Sequence, residues 1–140
     1  MEESLITALS GEVVEDIKEY SPLTLAFIGD GVYELFVRTQ VVKNTNAPAG
    51  RLHVRCVKFV RAAGQCAAMD ALEPLLTEEE IAIFKRGRNT KVNTKAKNAS
   101  LAEYKKATGF EALLGFLYVS KRTERLEELM HIAYNAVANE

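Results

Sequence analysis

Residues 26 to 36, AFIGDGVYELF, set two carboxylates, Asp30 and Glu34, inside the most apolar-looking stretch of the chain. An unpaired ionised carboxylate among apolar neighbours costs on the order of several kcal/mol. Any fold this chain adopts must therefore bring a basic side chain or a cation to that stretch. Two local structures compete for it. Ser21-Pro22 is a helix-start signal, since the Ser hydroxyl accepts from orphan N–H groups and Pro has no donor to waste at the first helical position. A long helix over residues 22 to 42 would put Asp30 and Glu34 on one face, about 5–6 Å apart, flanked by Leu23, Phe27 and Val37. The alternative is a β-hairpin of TLAFI and VYELFV turning at Gly29-Asp30-Gly31.

The rest of the chain reads as helix. In RLHVRCVKFVRAAGQCAAMDAL, Val57, Val60, Ala63 and Ala67 fall at helical spacing, with Arg51, Arg55, Lys58 and Arg61 between them. Thr77-Glu78-Glu79-Glu80 is a capping box opening TEEEIAIFKRG, which Gly87 is placed to end. Ser100-Leu101-Ala102-Glu103 repeats the capping logic. Gly109 offers a break, GFEALLGFLYVS resumes, and RLEELMHIAYNAVA closes with an apolar face of Leu126, Leu129, Ala133 and Val137. Long period-2 strands, internal repeats and low-complexity tracts are missing. The expectation is an all-α fold, with residues 1–140 as one domain.

A second acid is isolated in the same way: Glu111 sits alone in the apolar run GFEALLGFLY. Carboxylate oxygens are hard ligands suited to Mg²⁺, which binds through one or two of them and keeps several waters. Asp30 and Glu111 brought together would hold such an ion. Ion pairs with Lys or Arg are the competing explanation for both acids.

Net charge is −1, yet residues 85 to 106 hold eight basic side chains against the single Glu103. This asymmetry is an electrostatic footprint for a polyanion. Its centre, RGRNTKVNTKAKN, lacks apolar periodicity and reads as a basic, mobile loop. The acidic N-terminus lacks the basic region and apolar run of a signal peptide. No run approaches the ~20 apolar residues that span a bilayer, so a soluble, cytoplasmic protein with no membrane partner is expected. Cys56 and Cys66 form no C-x-x-C pair, and His53 and His131 are far apart. They read as two small buried thiols in a reducing compartment rather than a zinc or redox site.

Leu25-Ala26-Phe27-Ile28-Gly29-Asp30-Gly31-Val32-Tyr33-Glu34 resembles the signature helix of the ribonuclease III domain, and Phe110 to Tyr118, FEALLGFLY, resembles its second acidic motif. The Ser21-Pro22 start, Lys85 to Asn89 (KRGRN), Lys97-Asn98-Ala99 and Thr108-Gly109-Phe110-Glu111 are similar to the Mini-III subfamily in particular. The resemblance covers nearly the whole chain. It implies an all-helical, Mg²⁺-dependent, homodimeric endonuclease for double-stranded RNA, leaving 5′-phosphates. For the bacterial Mini-III group it implies the ends of precursor 23S ribosomal RNA as substrate. Carried over by position, Asp30 matches the signature aspartate and Glu111 the metal-ligand glutamate. Full-length ribonuclease III enzymes have a further glutamate where this chain has Ala26 and an aspartate where it has Thr108. Mini-III relatives share that departure, and it favours one ion per site. Glu34 either orients a ligand water or pairs with a basic residue.

With no room after the last motif for an appended double-stranded-RNA-binding domain, the catalytic domain is expected to grip RNA itself. A-form RNA is read mainly through phosphates and 2′-hydroxyls, which suits Lys85, Arg86, Arg88, Asn89, Lys95 and Lys97. Phe27 and Ile28 match positions that pack across the family's dimer interface, or else fill the monomer core. Two other readings remain at this point. One is a catalytically inactive ribonuclease-III-like module that binds RNA. The other is a helical interaction protein whose basic loop meets an acidic partner.

Overall fold

The computed structural model describes residues 17–91 and 100–140. Among these the fold is all-α, as expected, with no strand. Six helices follow in order: α1 Pro22–Asn44, α2 Ala49–Val60, α3 Ala62–Leu72, α4 Glu78–Arg88, α5 Leu101–Val119 and α6 Thr123–Ala138, with single 3₁₀ turns at Ile17–Glu19 and Glu73–Leu75. The helix therefore wins over the hairpin at residues 22 to 42. Its buried positions, Leu25, Ala26, Gly29, Val32, Tyr33, Phe36, Val37 and Val41, repeat every three or four residues, and a strand would have buried every second one.

Local start signals act as the sequence predicts. Ser21 Oγ accepts from the Thr24 N–H at 3.1 Å. Reciprocal capping boxes form at Thr77–Glu80 and Ser100–Glu103. Two glycine assignments are corrected. Helix α4 runs through Gly87 to Arg88, and α5 runs unbroken through Gly109. A Cβ at Gly87 would lie 2.9 Å from Gly109 Cα, and one at Gly109 would lie 2.7 Å from the Phe84 carbonyl oxygen. These glycines bring α4 against α5 rather than ending helices. The stretch from Arg51 to Leu72 is also two helices. It bends at Arg61 (φ −68°, ψ 160°), and its buried side chains include Cys56, Phe59, Gln65, Ala68, Met69 and Leu72, whereas Val57 and Ala63 are exposed.

Helix α5 is buried almost all round, from Ala107 to Leu117 with Glu111 the half-buried exception. Its neighbours are α1, α3, α4 and α6, as expected for a helix apolar on every face. The tightest crossing is with α1. A Cβ on Gly29 would sit 1.8 Å from the Glu111 carbonyl oxygen, and one on Gly115 would sit 1.9 Å from the Leu25 carbonyl oxygen. Close by, Tyr33 packs edge-on against Phe110 with centroids 5.0 Å apart. On the far side, Arg125 of α6 grips the buried Glu80 through both oxygens (2.9 and 2.8 Å) and donates to the Leu75 carbonyl at 2.7 Å. The apolar face of α6 expected from sequence, Leu126, Leu129, Ala133 and Val137, is buried.

Candidate active site

The α1–α5 crossing places the two isolated acids together. Asp30 follows Gly29 on α1, Glu111 projects from the turn of α5 that Gly29 touches, and the two carboxyl groups lie within hydrogen-bonding reach of each other. Their environments differ. Asp30 is exposed, and the flanking Leu23 and Phe27 are exposed as well, so the apolar surroundings foreseen for it fall to Glu111 instead. Burial, then the Asp30 carboxyl, push the Glu111 pKa up to about 8. A third group completes the cluster. Gln65 Nε2 of α3 donates to Glu111 Oε2 at 3.4 Å and opposes that rise.

Two adjacent carboxylates, with no Lys or Arg paired to either among the described residues, form a donor set that fits a hard divalent cation. Ala26 is buried, and the Thr108 hydroxyl is committed to the Tyr104 carbonyl at 3.0 Å, so neither position adds a ligand. Among the described residues no group of three or more His, Cys, Asp or Glu could hold a metal ion. The protein can thus supply two carboxylates, leaving most of a cation's shell to water or substrate oxygens. Glu34 pairs with Arg38 of its own helix at 3.3 Å.

The basic residues divide into three groups. Lys85 and Arg86 are exposed in the last turn of α4. Arg88 is half-buried with its guanidinium 5.5 Å from the Phe84 ring centre, and its Nε donates to Asn89 Oδ1 at 3.1 Å. Lys95 and Lys97 lie outside the described residues. The Gly87–Gly109 contact docks this basic helix end on the part of α5 that leads into Glu111. Lys106, counted in the basic stretch, is spent on Asp70 and Glu73 of the α3 end. Neither cysteine is in a disulfide. Cys56 is buried, but Cys66 is only half-buried, and its Sγ lies 3.2 Å from the Glu103 carbonyl.

Gln65 went unnoticed in the sequence because a glutamine among alanines carries no local signal. Arg38 was not singled out as the partner of Glu34, although their i,i+4 spacing is the signal for such a pair.

A family model described as the Ribonuclease III domain matches residues 23–122. A Mini-ribonuclease 3 from Clostridium tetani is 48% identical over 86% of this chain and 81% of its own length. One from Thermoanaerobacter sp. is 44% identical over 88% and 87%. The crystal structure of protein FN1578 from Fusobacterium nucleatum superposes with a TM-score of 0.79 at 31% identity, covering 87% of this chain and 98% of that one.

Proposed function

This chain belongs to the Mini-ribonuclease 3 family of ribonuclease III domains and is an endoribonuclease, and from that premise we propose that it cleaves double-stranded RNA by Mg²⁺-dependent hydrolysis. The observation that carries the reading is the convergence of Asp30 and Glu111 at the α1–α5 crossing, with no basic partner for Glu111 among the described residues. Residues 1–140 act as a single catalytic domain in this reading, in the cytoplasm. No helix among the described residues is long and apolar enough to cross a membrane.

When bound, Mg²⁺ supplies acidification of water and neutralisation of phosphate charge. The protein's part is to hold and expose the site. Exposed Asp30 presents its carboxylate to the substrate side, while Glu111, half-buried and anchored on α5, fixes the other ligand. Water adds to the scissile phosphorus, the bond to the 3′ oxygen breaks, and that oxygen takes up a proton, leaving a 5′-phosphate and a 3′-hydroxyl. Lys85 and Arg86 meet backbone phosphates, with Lys95 and Lys97 as further candidates. Arg88 and Asn89 contribute from a more restrained position.

A duplex has two strands, and a two-fold dimer supplies two sites. Leu23, Phe27 and Leu35 project from α1 at a spacing of four and eight residues, and Phe27 is 82% exposed. Between them, a Cβ built on Gly31 would meet nothing within 4 Å. That apolar stripe beside Asp30 supports a homodimer packed through α1. Ile28, by contrast, packs on the monomer core. The substrate proposed for the cell is precursor 23S ribosomal RNA.

Incubation of the protein with a duplex taken from precursor 23S RNA and Mg²⁺, beside D30N and E111Q, tests the reading. Wild type is expected to release 5′-phosphorylated products and both variants none. An inactive RNA-binding module yields no products from any of the three.

A further inference from the structure

Gln65 is 3% exposed in the first turn of α3. Its side chain is the one long polar group in a run of small residues, Ala62-Ala63-Gly64 before it and Ala67-Ala68 after it. Its place is held from both ends. The backbone N–H bonds the Arg61 carbonyl at 3.0 Å, and Gly64 lies so close to α2 that a Cβ there would be 2.1 Å from the Lys58 carbonyl oxygen. Among the described residues the partner of its amide is Glu111 Oε2.

A buried amide without a partner costs about 1–3 kcal/mol, so solvation does not explain a glutamine here. A neutral donor has a specific merit beside a cation site. Lys or Arg at this position would also hold the carboxylate, but its charge would repel the ion. A primary amide fixes the carboxylate plane and leaves its charge for the metal. The donor must be the NH₂ group, because a metal-bound carboxylate is ionised and can only accept. Outer hydrogen-bonding partners of this kind set the orientation of metal ligands.

We propose that Gln65 is a positioning residue that orients the Glu111 carboxylate for divalent-cation binding, through the hydrogen bond from α3. The proposal rests on the metal reading of Asp30 and Glu111 given above. Q65M keeps length and bulk and removes the donor. Its Mg²⁺ affinity, measured by calorimetry on RNA-free protein, is expected to fall about 10–100-fold. The Mg²⁺ concentration for half-maximal cleavage should rise in parallel, with less loss of rate at saturating Mg²⁺. A merely structural role would lower the melting temperature of the metal-free protein and leave both metal readings where they were. A folded Q65M with wild-type Mg²⁺ affinity overturns the proposal. If Q65M does not fold, Q65N is read in its place, since an amide one methylene shorter cannot span a contact already 3.4 Å long. It should show the same loss, and wild-type affinity in Q65N overturns the proposal equally. D30N separates the two levels. Wild type binding Mg²⁺ no better than D30N sinks the metal reading, whereas a wild type that outbinds D30N but is matched by Q65M sinks the role of Gln65 alone.

Discussion

Gly29 of α1 and Glu111 of α5 touch through their main chains, with room for no Cβ between Gly29 and the Glu111 carbonyl oxygen, 1.8 Å from where it would stand. Alanine is normally worth about 1 kcal/mol over glycine inside a helix. Here the clash is with backbone and has no flexible end to move aside. G29A is therefore expected to destabilise the protein by about 1–3 kcal/mol or more and to reduce cleavage by parting Asp30 from Glu111. Urea unfolding of G29A measures the first effect. A G29A protein as stable and active as wild type would mean the helices are not in contact there.

Phe27 is exposed, so replacing it should leave the monomer fold intact. F27E is expected to run as a monomer in light scattering while keeping its helical circular dichroism. It should turn double-strand cuts into single nicks or lose cleavage. A dimeric F27E would remove α1 as the interface.

Glu111 predicts how the metal-free protein responds to pH. Its pKa is 4.5 as an ordinary glutamate and about 8 in the fold. Between those values the folded state holds a proton that the unfolded state has released, so stability falls as pH rises from about 4.5 to about 8. The proposed Mg²⁺ binding requires the ionised form and should strengthen over the same range. Melting curves from pH 5 to 9 should show a declining limb that E111Q flattens and Mg²⁺ offsets. A wild-type limb identical to that of E111Q would contradict this.

The Glu80–Arg125 clasp gives the opposite slope. Hydrogen bonds from Arg125 hold the Glu80 pKa below the usual glutamate value. Its contribution is complete above that usual value and is lost as pH falls through the lowered one. R125M leaves Glu80 buried and unpaired, at a cost of about 3 kcal/mol near pH 7. The difference between R125M and wild type should shrink toward pH 3. Equal denaturant midpoints at pH 7 would show the pair contributes nothing.

K85E/R86E is expected to weaken binding to duplex RNA of any sequence and to lower the salt slope by about one per lost phosphate contact. Filter binding at several salt concentrations reads both. An unchanged slope would move the RNA to another face.

Signals written in neighbouring residues were legible in the sequence. Ser21-Pro22, the capping boxes at Thr77 and Ser100, and the apolar face of α6 depend only on side chains within a few positions of one another. Glu111 likewise stood out, because an acid alone in an apolar run is costly to bury unpaired, whereas Asp30, singled out on the same ground, is exposed. Gly87 and Gly109 were misread because a glycine that ends a helix and one that admits a neighbouring helix look alike along the chain. Only the approach of Phe84 and Ala112 tells them apart. Gln65 was illegible for the same reason, since its partner is 46 residues away. The bend at Arg61 carries neither Gly nor Pro to announce it.

The reciprocal seating of Gly29 and Gly115 has a mechanical outcome for the acids beside it. At these two points the rods meet main chain to main chain, so their spacing there is gauged by backbone atoms. The backbone separation at the crossing thus fixes where the Asp30 and Glu111 side chains leave their helices, and a change in that separation would move both acids at once.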